Sequence, residues 1–137
     1  MLSDPSSGPS AHLASRIGAI FYLIWGAFHV KVAHDIYLLG LTQHGIAQGR
    51  TYQLAAYLLT LSLFVIAIAV ILNWRNSNTG FWLNLCVAGW ADLIWTVVVV
   101  LPGYVSPARG FIPPAIFVCA AVATWLGRRM RVERKVS

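Results

Sequence analysis

The chain has 137 residues, of which 58% are hydrophobic and only 10% are charged, and its formal net charge is +6. Soluble globular domains carry about 25% charged residues, so this composition excludes an ordinary soluble domain. The positive charge does not indicate nucleic-acid binding, because half of the ten basic residues stand together at the end of the chain: Arg128, Arg129, Arg131, Arg134 and Lys135.

Four continuous apolar segments account for the composition. They cover residues 17–41, 53–74, 80–101 and 110–127. A helix needs about 20 mostly apolar residues to cross a bilayer, and the alternation typical of barrel strands is missing. The sequence therefore predicts an all-α fold, a four-helix transmembrane bundle with short loops, as one domain over residues 15–128. A Pro/Ser/Gly-rich tail over 1–14 is expected to be disordered, and 129–137 form a basic C-terminal tail.

The first span changes character in its second half. It begins with an apolar run in which Gly18 and Gly26 share a face, a pattern that allows close helix approach. His29, His34 and Asp35 then follow within a segment that is still apolar overall. Ionisable residues at membrane depth are costly and indicate a function or a partner.

A second group of polar residues is expected at the same end of the bundle as His34 and Asp35. Tyr57 belongs to the second span, and Arg109 precedes the fourth. If the bundle closes around them, these side chains line a polar vestibule. Hydration of the helix ends is the simpler explanation of the same residues.

The third span carries a polar stripe, in which Asn84, Ala88, Asp92 and Thr96 recur every four residues, with Trp95 beside them. Such spacing places the side chains on one side of a helix. A carboxylate at the middle of a bilayer costs about 2.5–3.5 kcal/mol on insertion scales. Asp92 therefore requires a partner, a hydrated cavity or a role as a proton acceptor.

Depth along the helices suggests a partner for Asp92. His29 and Asp92 each lie about 12 residues into parallel spans, or roughly 18 Å at 1.5 Å per residue. The two side chains are predicted to form a buried polar pair. Three explanations remain open: a structural hydrogen bond between helices, a functional acid/base or ligand site, and a contact in which another chain satisfies Asp92.

No cofactor can be assigned from the sequence. No spacing typical of a metal site is present, and Cys86 and Cys119 are expected to be small core residues. His29 and His34 share one helix on different faces, so two axial haem ligands from one subunit are not expected, whereas a single axial His29 stays open. Trp25, Trp90 and Trp95 are expected to lie deep enough to stack on a quinone, sterol or carotenoid. The ligand-binding candidates are Trp25, His34, Asp35, Tyr57, Asn84, Trp95 and Arg109, and no metal ligands are expected.

The distribution of basic residues predicts the orientation. Arg16, Arg75 and the C-terminal cluster fall on the face that holds both termini, which marks that face as cytoplasmic. The small size and short loops favour a bacterial inner membrane. The C-terminal basic tail is expected to contact anionic lipid headgroups, although a purely topological signal explains it more simply.

Two functions are compatible with these residues. The first is an accessory subunit or a binding module for an apolar ligand, within a homo-oligomer or a larger membrane complex, in which His29 and Asp92 form a buried pair. The alternative is a small membrane-embedded enzyme or proton-coupled carrier that uses the two residues as acid/base groups. A cavity of several hundred cubic ångströms that reaches both residues would favour the second function.

Overall fold

The structure is a computed structural model that describes residues 9–136, with side chains described for residues 9–132. The described residues contain helices and no strands: α1 (Pro9–Gly40), α2 (Gly45–Ile71), α3 (Asn78–Trp95), α4 (Pro107–Gly110) and α5 (Ile112–Val136). A 3₁₀ turn, Asn73–Arg75, follows α2, and a π-helical turn, Thr96–Val100, extends α3.

Four helical segments are long and apolar enough to cross a membrane: Pro9–Gly40, Gly45–Arg75, Asn78–Val100 and Pro107–Val132. The predicted all-α four-helix bundle is therefore confirmed. The apolar faces that these helices expose suit a lipid environment, as expected of a small integral membrane protein.

The helices extend further than the apolar segments. Helix α1 begins at Pro9, so residues 9–14 of the expected tail are helical, while residues 1–8 lie outside the described part. Proline is tolerated in the first turn of a helix because that turn's N–H groups have no helical acceptor. Helix α2 begins at Gly45 instead of residue 53, and α5 continues through the basic residues to Val136.

Helix α1 is the centre of the bundle. It packs along its length against α2 and α5, while α3 packs against α2 and α5 and faces α1 across the bundle. The innermost side chains are apolar and mostly small, apart from two aromatics of α1: Tyr22, Trp25, Val65, Ala69, Ala88 and Ala120. Cys86 and Cys119 are exposed, so the expectation that they belong to the core is wrong. A small, weakly polar thiol has little cost on a lipid-facing surface.

Glycines bring α1 and α5 into backbone contact near the chain termini. A Cβ atom on Gly18 would lie 2.5 Å from Thr124 Cγ2 and 2.9 Å from the Ala120 carbonyl oxygen. A Cβ atom on Gly127 would lie 2.8 Å from the Ala11 carbonyl oxygen. No side chain fits at either position, which is the close approach that small residues permit in membranes.

Buried polar groups tie the same end of the bundle together. The Ser15 hydroxyl donates to the carbonyl oxygen of Asn73, and Asn76 Nδ2 donates to the carbonyl oxygen of Gly127 at 2.9 Å. Asn76 adopts a left-handed conformation with φ of 55°, which asparagine tolerates better than most residues. We call the part of the bundle from these residues to the level of Gly18 the closed half. The opposite part, which includes the α1–α2 loop and α4, is the open half.

Candidate functional site

A tryptophan connects the two helices that face each other across the bundle. Trp25 of α1 is fully buried, and its indole Nε1 donates a 2.9 Å hydrogen bond to Asp92 Oδ2 on α3. Asp92 is only 3% exposed. The carboxylate that stood out in the sequence is therefore held inside the protein by a neutral donor, without a neighbouring positive charge at that oxygen.

His29 lies one helical turn beyond Trp25 and rests on it. The two rings stack with 3.8 Å between their centroids, and Phe28 meets the imidazole edge-on at 5.5 Å. His29 Nδ1 lies 2.8 Å from the Trp25 carbonyl oxygen. Because a carbonyl oxygen can only accept, Nδ1 carries the proton of this bond. The imidazole is thus fixed in both position and tautomer.

The expected direct pair of His29 and Asp92 is not formed. The depth estimate was sound, since both residues adjoin Trp25, but the indole occupies the space between them. Asp92 Oδ1 makes no hydrogen bond within the described part of the chain. The reason is the helix arrangement: α1 and α3 face each other across the bundle, and a side chain as long as tryptophan is needed to bridge them.

A cavity of about 400 Å³ occupies the open half of the bundle and is partly open to the surface. Its walls are mainly aliphatic and aromatic and come from all four long helices; they include Phe28, Val32, Leu54, Leu58, Ala91, Ile94, Val98 and Pro113. Polar groups reach it from three lining residues, His29, Trp95 and Arg109. An apolar space of this volume with a few placed polar groups is typical of a small-molecule site.

The cavity ends at His29 and does not reach Asp92. Ala91 and Trp95 line the wall, whereas Asp92, between them in sequence, points into the packed interior beside Trp25. The Trp95 indole is itself fixed, because its Nε1 donates to the Gly110 carbonyl oxygen at 2.8 Å. Of the two residues predicted to share a site, only His29 is accessible from the cavity.

The π-helical turn shapes one wall of the cavity. It spans Thr96–Val100 and is marked by the Leu101 N–H, which donates to the Thr96 carbonyl oxygen at 2.9 Å. Val98 and Val99 of this turn line the cavity. Single π turns within α-helices are frequent at functional sites.

The remaining ligand-binding candidates lie outside this cavity. Asn84 is buried in the interior, where its Nδ2 donates to the Val65 carbonyl oxygen at 3.3 Å. His34 and Asp35 are exposed, and Asp35 accepts a 2.6 Å bond from Lys31. Tyr57 is 60% exposed and accepts from Gln53 on the helix surface.

The expected vestibule is therefore not assembled around the cavity, and of the residues predicted to line it only Arg109 borders the cavity. His34, Asp35 and Tyr57 lie on outward-pointing helical faces, where Asp35 pairs with Lys31 and Tyr57 with Gln53. Sequence reasoning missed the aliphatic walls, because Leu54, Leu58 and Val98 are indistinguishable in sequence from lipid-facing residues.

The described residues contain no group of three or more side chains that could hold a metal ion. Comparisons with protein-family models, with curated proteins and with solved structures gave no match to this chain. The function must therefore be inferred from the cavity and the residues around it.

Proposed function

We propose that this protein is a membrane-embedded binding module that takes up an apolar small molecule into the cavity of its open half. The observation that carries the proposal is the cavity itself: about 400 Å³ of space between the helices, lined almost entirely by apolar side chains. An apolar space of this volume that polar groups of His29, Trp95 and Arg109 border is of the size and kind that binds small molecules.

The residues behind the cavity support the same proposal. The Trp25–Asp92 hydrogen bond and the stacking of His29 on Trp25 fix one wall of the site before any ligand arrives. A preorganised wall lowers the entropy that binding must overcome. Asp92 then acts as a positioning residue, since its contact with the site passes through the indole of Trp25.

Access from the bilayer suits an apolar ligand. The exposed surfaces of α1 and α2 include the apolar side chains of Leu38, Leu39 and Leu61. A molecule dissolved in the lipid would enter without crossing water. Arg109, at the margin of the cavity, would interact with polar groups at the membrane surface.

The proposal is tested by filling the cavity. Ala91→Phe adds an aromatic ring on the cavity wall, while Ala67→Phe adds the same ring on an exposed position of α2. The partition of 2-methoxynaphthalene between protein-containing and empty nanodiscs is measured by equilibrium dialysis. We expect about one probe per chain for the wild type and for Ala67→Phe, and none above the empty discs for Ala91→Phe. Equal uptake by all three proteins would overturn the proposal.

A second function, a proton-coupled carrier or a small membrane enzyme, is favoured by one observation. Asp92 Oδ1 is buried and makes no hydrogen bond within the described residues, which leaves it available to a proton. Asp92→Asn separates the two functions, because the amide oxygen can still accept from Trp25 but the side chain cannot exchange a proton. A binding module keeps its probe uptake and stability in Asp92→Asn. Proton uptake in liposomes that the wild type shows and Asp92→Asn lacks would establish the second function instead.

The orientation is also a proposal. Arg16, Arg75, Arg128 and Arg131 lie at the closed half, and Arg16 and Arg128 stack on aromatic rings there, 5.5 Å from Trp74 and 5.1 Å from Phe81. We propose that this end faces the cytoplasm of a bacterial inner membrane, where the arginines contact anionic lipid headgroups. A reporter fused after residue 137 that is active only when cytoplasmic tests the orientation.

A further inference from the structure

One ring nitrogen of His29 has no hydrogen-bond partner within the described residues. Nδ1 gives its proton to the Trp25 carbonyl oxygen. In the neutral imidazole the other nitrogen, Nε2, then has a lone pair and no proton, so it can only accept. Nε2 makes no hydrogen bond within the described part of the chain, and His29 lines the cavity.

The cavity walls supply no donor to that atom. Among the lining side chains only Trp95 and Arg109 carry N–H groups. The Trp95 N–H is already bonded to the Gly110 carbonyl oxygen, and Arg109, an exposed residue in the last turn of α4, makes no hydrogen bond to His29. Nε2 is therefore an unpaired acceptor on a residue that lines a mostly apolar cavity, where the donor of a bound molecule could reach it.

We propose that the ligand of this cavity is an apolar alcohol or phenol whose hydroxyl group donates a hydrogen bond to Nε2 of His29. This inference rests on the proposed function and narrows its ligand class. Sterol-type alcohols and quinols have the required chemistry, namely a bulky apolar body with a hydroxyl group. Plain hydrocarbons and carotenes lack the donor and would leave Nε2 unpaired.

A matched pair of probes tests the donor directly. 2-Naphthol and 2-methoxynaphthalene have the same ring system, but only the naphthol can donate. Each is dialysed between protein-containing and empty nanodiscs, so that differences in lipid partition cancel. One hydrogen bond to a neutral acceptor contributes about a threefold to tenfold difference in Kd, and we expect the wild type to prefer the naphthol by that factor.

Variants of α1 assign the preference to His29. In His29→Phe the preference for the naphthol should disappear while the uptake of 2-methoxynaphthalene persists. His34→Phe, an exposed histidine on the same helix, should behave as the wild type. A preference that persists in His29→Phe would overturn the inference.

The failures of the two proposals are distinguishable. If both probes bind the wild type equally, the cavity binds apolar molecules without using His29, and only the further inference fails. If neither probe binds, the proposed function fails and the inference fails with it.

A second measurement examines His29 in the wild type, and it does not depend on probe binding by a variant. The ¹⁵N NMR signals of labelled histidine distinguish a protonated from an unprotonated ring nitrogen, and His29→Asn assigns the His29 signals. We expect Nε2 of His29 to be unprotonated in the wild type and its signal to shift when 2-naphthol is added. A protonated Nε2, or a haem absorption band that the wild type shows and His29→Phe lacks, would contradict the inference.

Discussion

The two halves of the bundle are built differently. In the closed half, α1 and α5 approach until backbones touch at Gly18 and Gly127, and buried side chains bond to carbonyl groups of neighbouring segments. In the open half, residues of all four long helices surround a cavity of about 400 Å³. Trp25 and Asp92 lie at the boundary between them.

This difference indicates that the closed half stabilises the bundle and that the open half holds the proposed binding site. Hydrocarbon chains offer no hydrophobic driving force for helix association, so a membrane bundle depends on close packing and interhelical hydrogen bonds. The closed half contains both. The open half can therefore leave space between its helices, because the bundle is already held at the other end.

The largest loss of stability is expected from a substitution at Gly18, in the closed half. Gly18→Ala places a Cβ atom within 2.9 Å of backbone atoms of α5, so the helices must shift apart. We expect the free energy of unfolding in bicelles to fall by roughly 2–3 kcal/mol. Gly49→Ala is the control, since its Cβ atom would meet nothing within 4 Å. Equal stability of the two variants would show that the closed half is not the stabilising element.

The second-largest effect is expected from a substitution at Trp25, on the boundary between the two halves. Trp25→Phe removes the donor to Asp92 Oδ2 and leaves a buried carboxyl group without its hydrogen bond. We expect a loss of about 1–2 kcal/mol in unfolding free energy. Probe uptake should also weaken, because the smaller phenyl ring under His29 is no longer fixed by the bond to Asp92. Trp90→Phe, at a position 65% exposed, should change neither quantity. An unchanged probe affinity in Trp25→Phe would show that the wall of the site does not depend on the indole.

The smallest effect is expected in the open half. Leu58→Ala removes atoms that border empty space, whereas a leucine in a packed core costs 2–5 kcal/mol when truncated. We expect a loss below about 1 kcal/mol by the same bicelle measurement. Probe uptake should persist because the cavity grows. A loss in the range of a packed core would mean that the open half is as tightly packed as the closed half.

Most of the fold could be predicted from the long apolar segments. Hydropathy alone predicted four helices, because a helix that crosses a bilayer needs such a segment. The four-residue spacing of Asn84, Ala88 and Asp92 predicted one shared side of a helix, and all three residues are buried. The depth of His29 relative to Asp92 followed from helix geometry. The connection of His29 and Asp92 through Trp25 could not be predicted, because the order of the helices around the bundle depends on their packing.

The cavity could not have been predicted. Its aliphatic walls have the same composition as lipid-facing surfaces, and the valine run gives no sign of the π turn at Thr96–Val100. The polar residues near the α1–α2 loop attracted attention for their charge, yet His34, Asp35 and Tyr57 lie on the outside. In a membrane protein, an apolar site leaves less trace in the sequence than a charged surface.

The most direct test is native mass spectrometry of the protein purified in nanodiscs, with an absorption spectrum of the same sample. We expect the wild type and Ala67→Phe to release a bound apolar species that carries a hydroxyl group, and Ala91→Phe to be free of it. The mass spectrum also reports the number of subunits in the assembly. A wild-type protein that is free of any bound species, in discs made from its native membrane, would contradict the claim that the open half is a binding site.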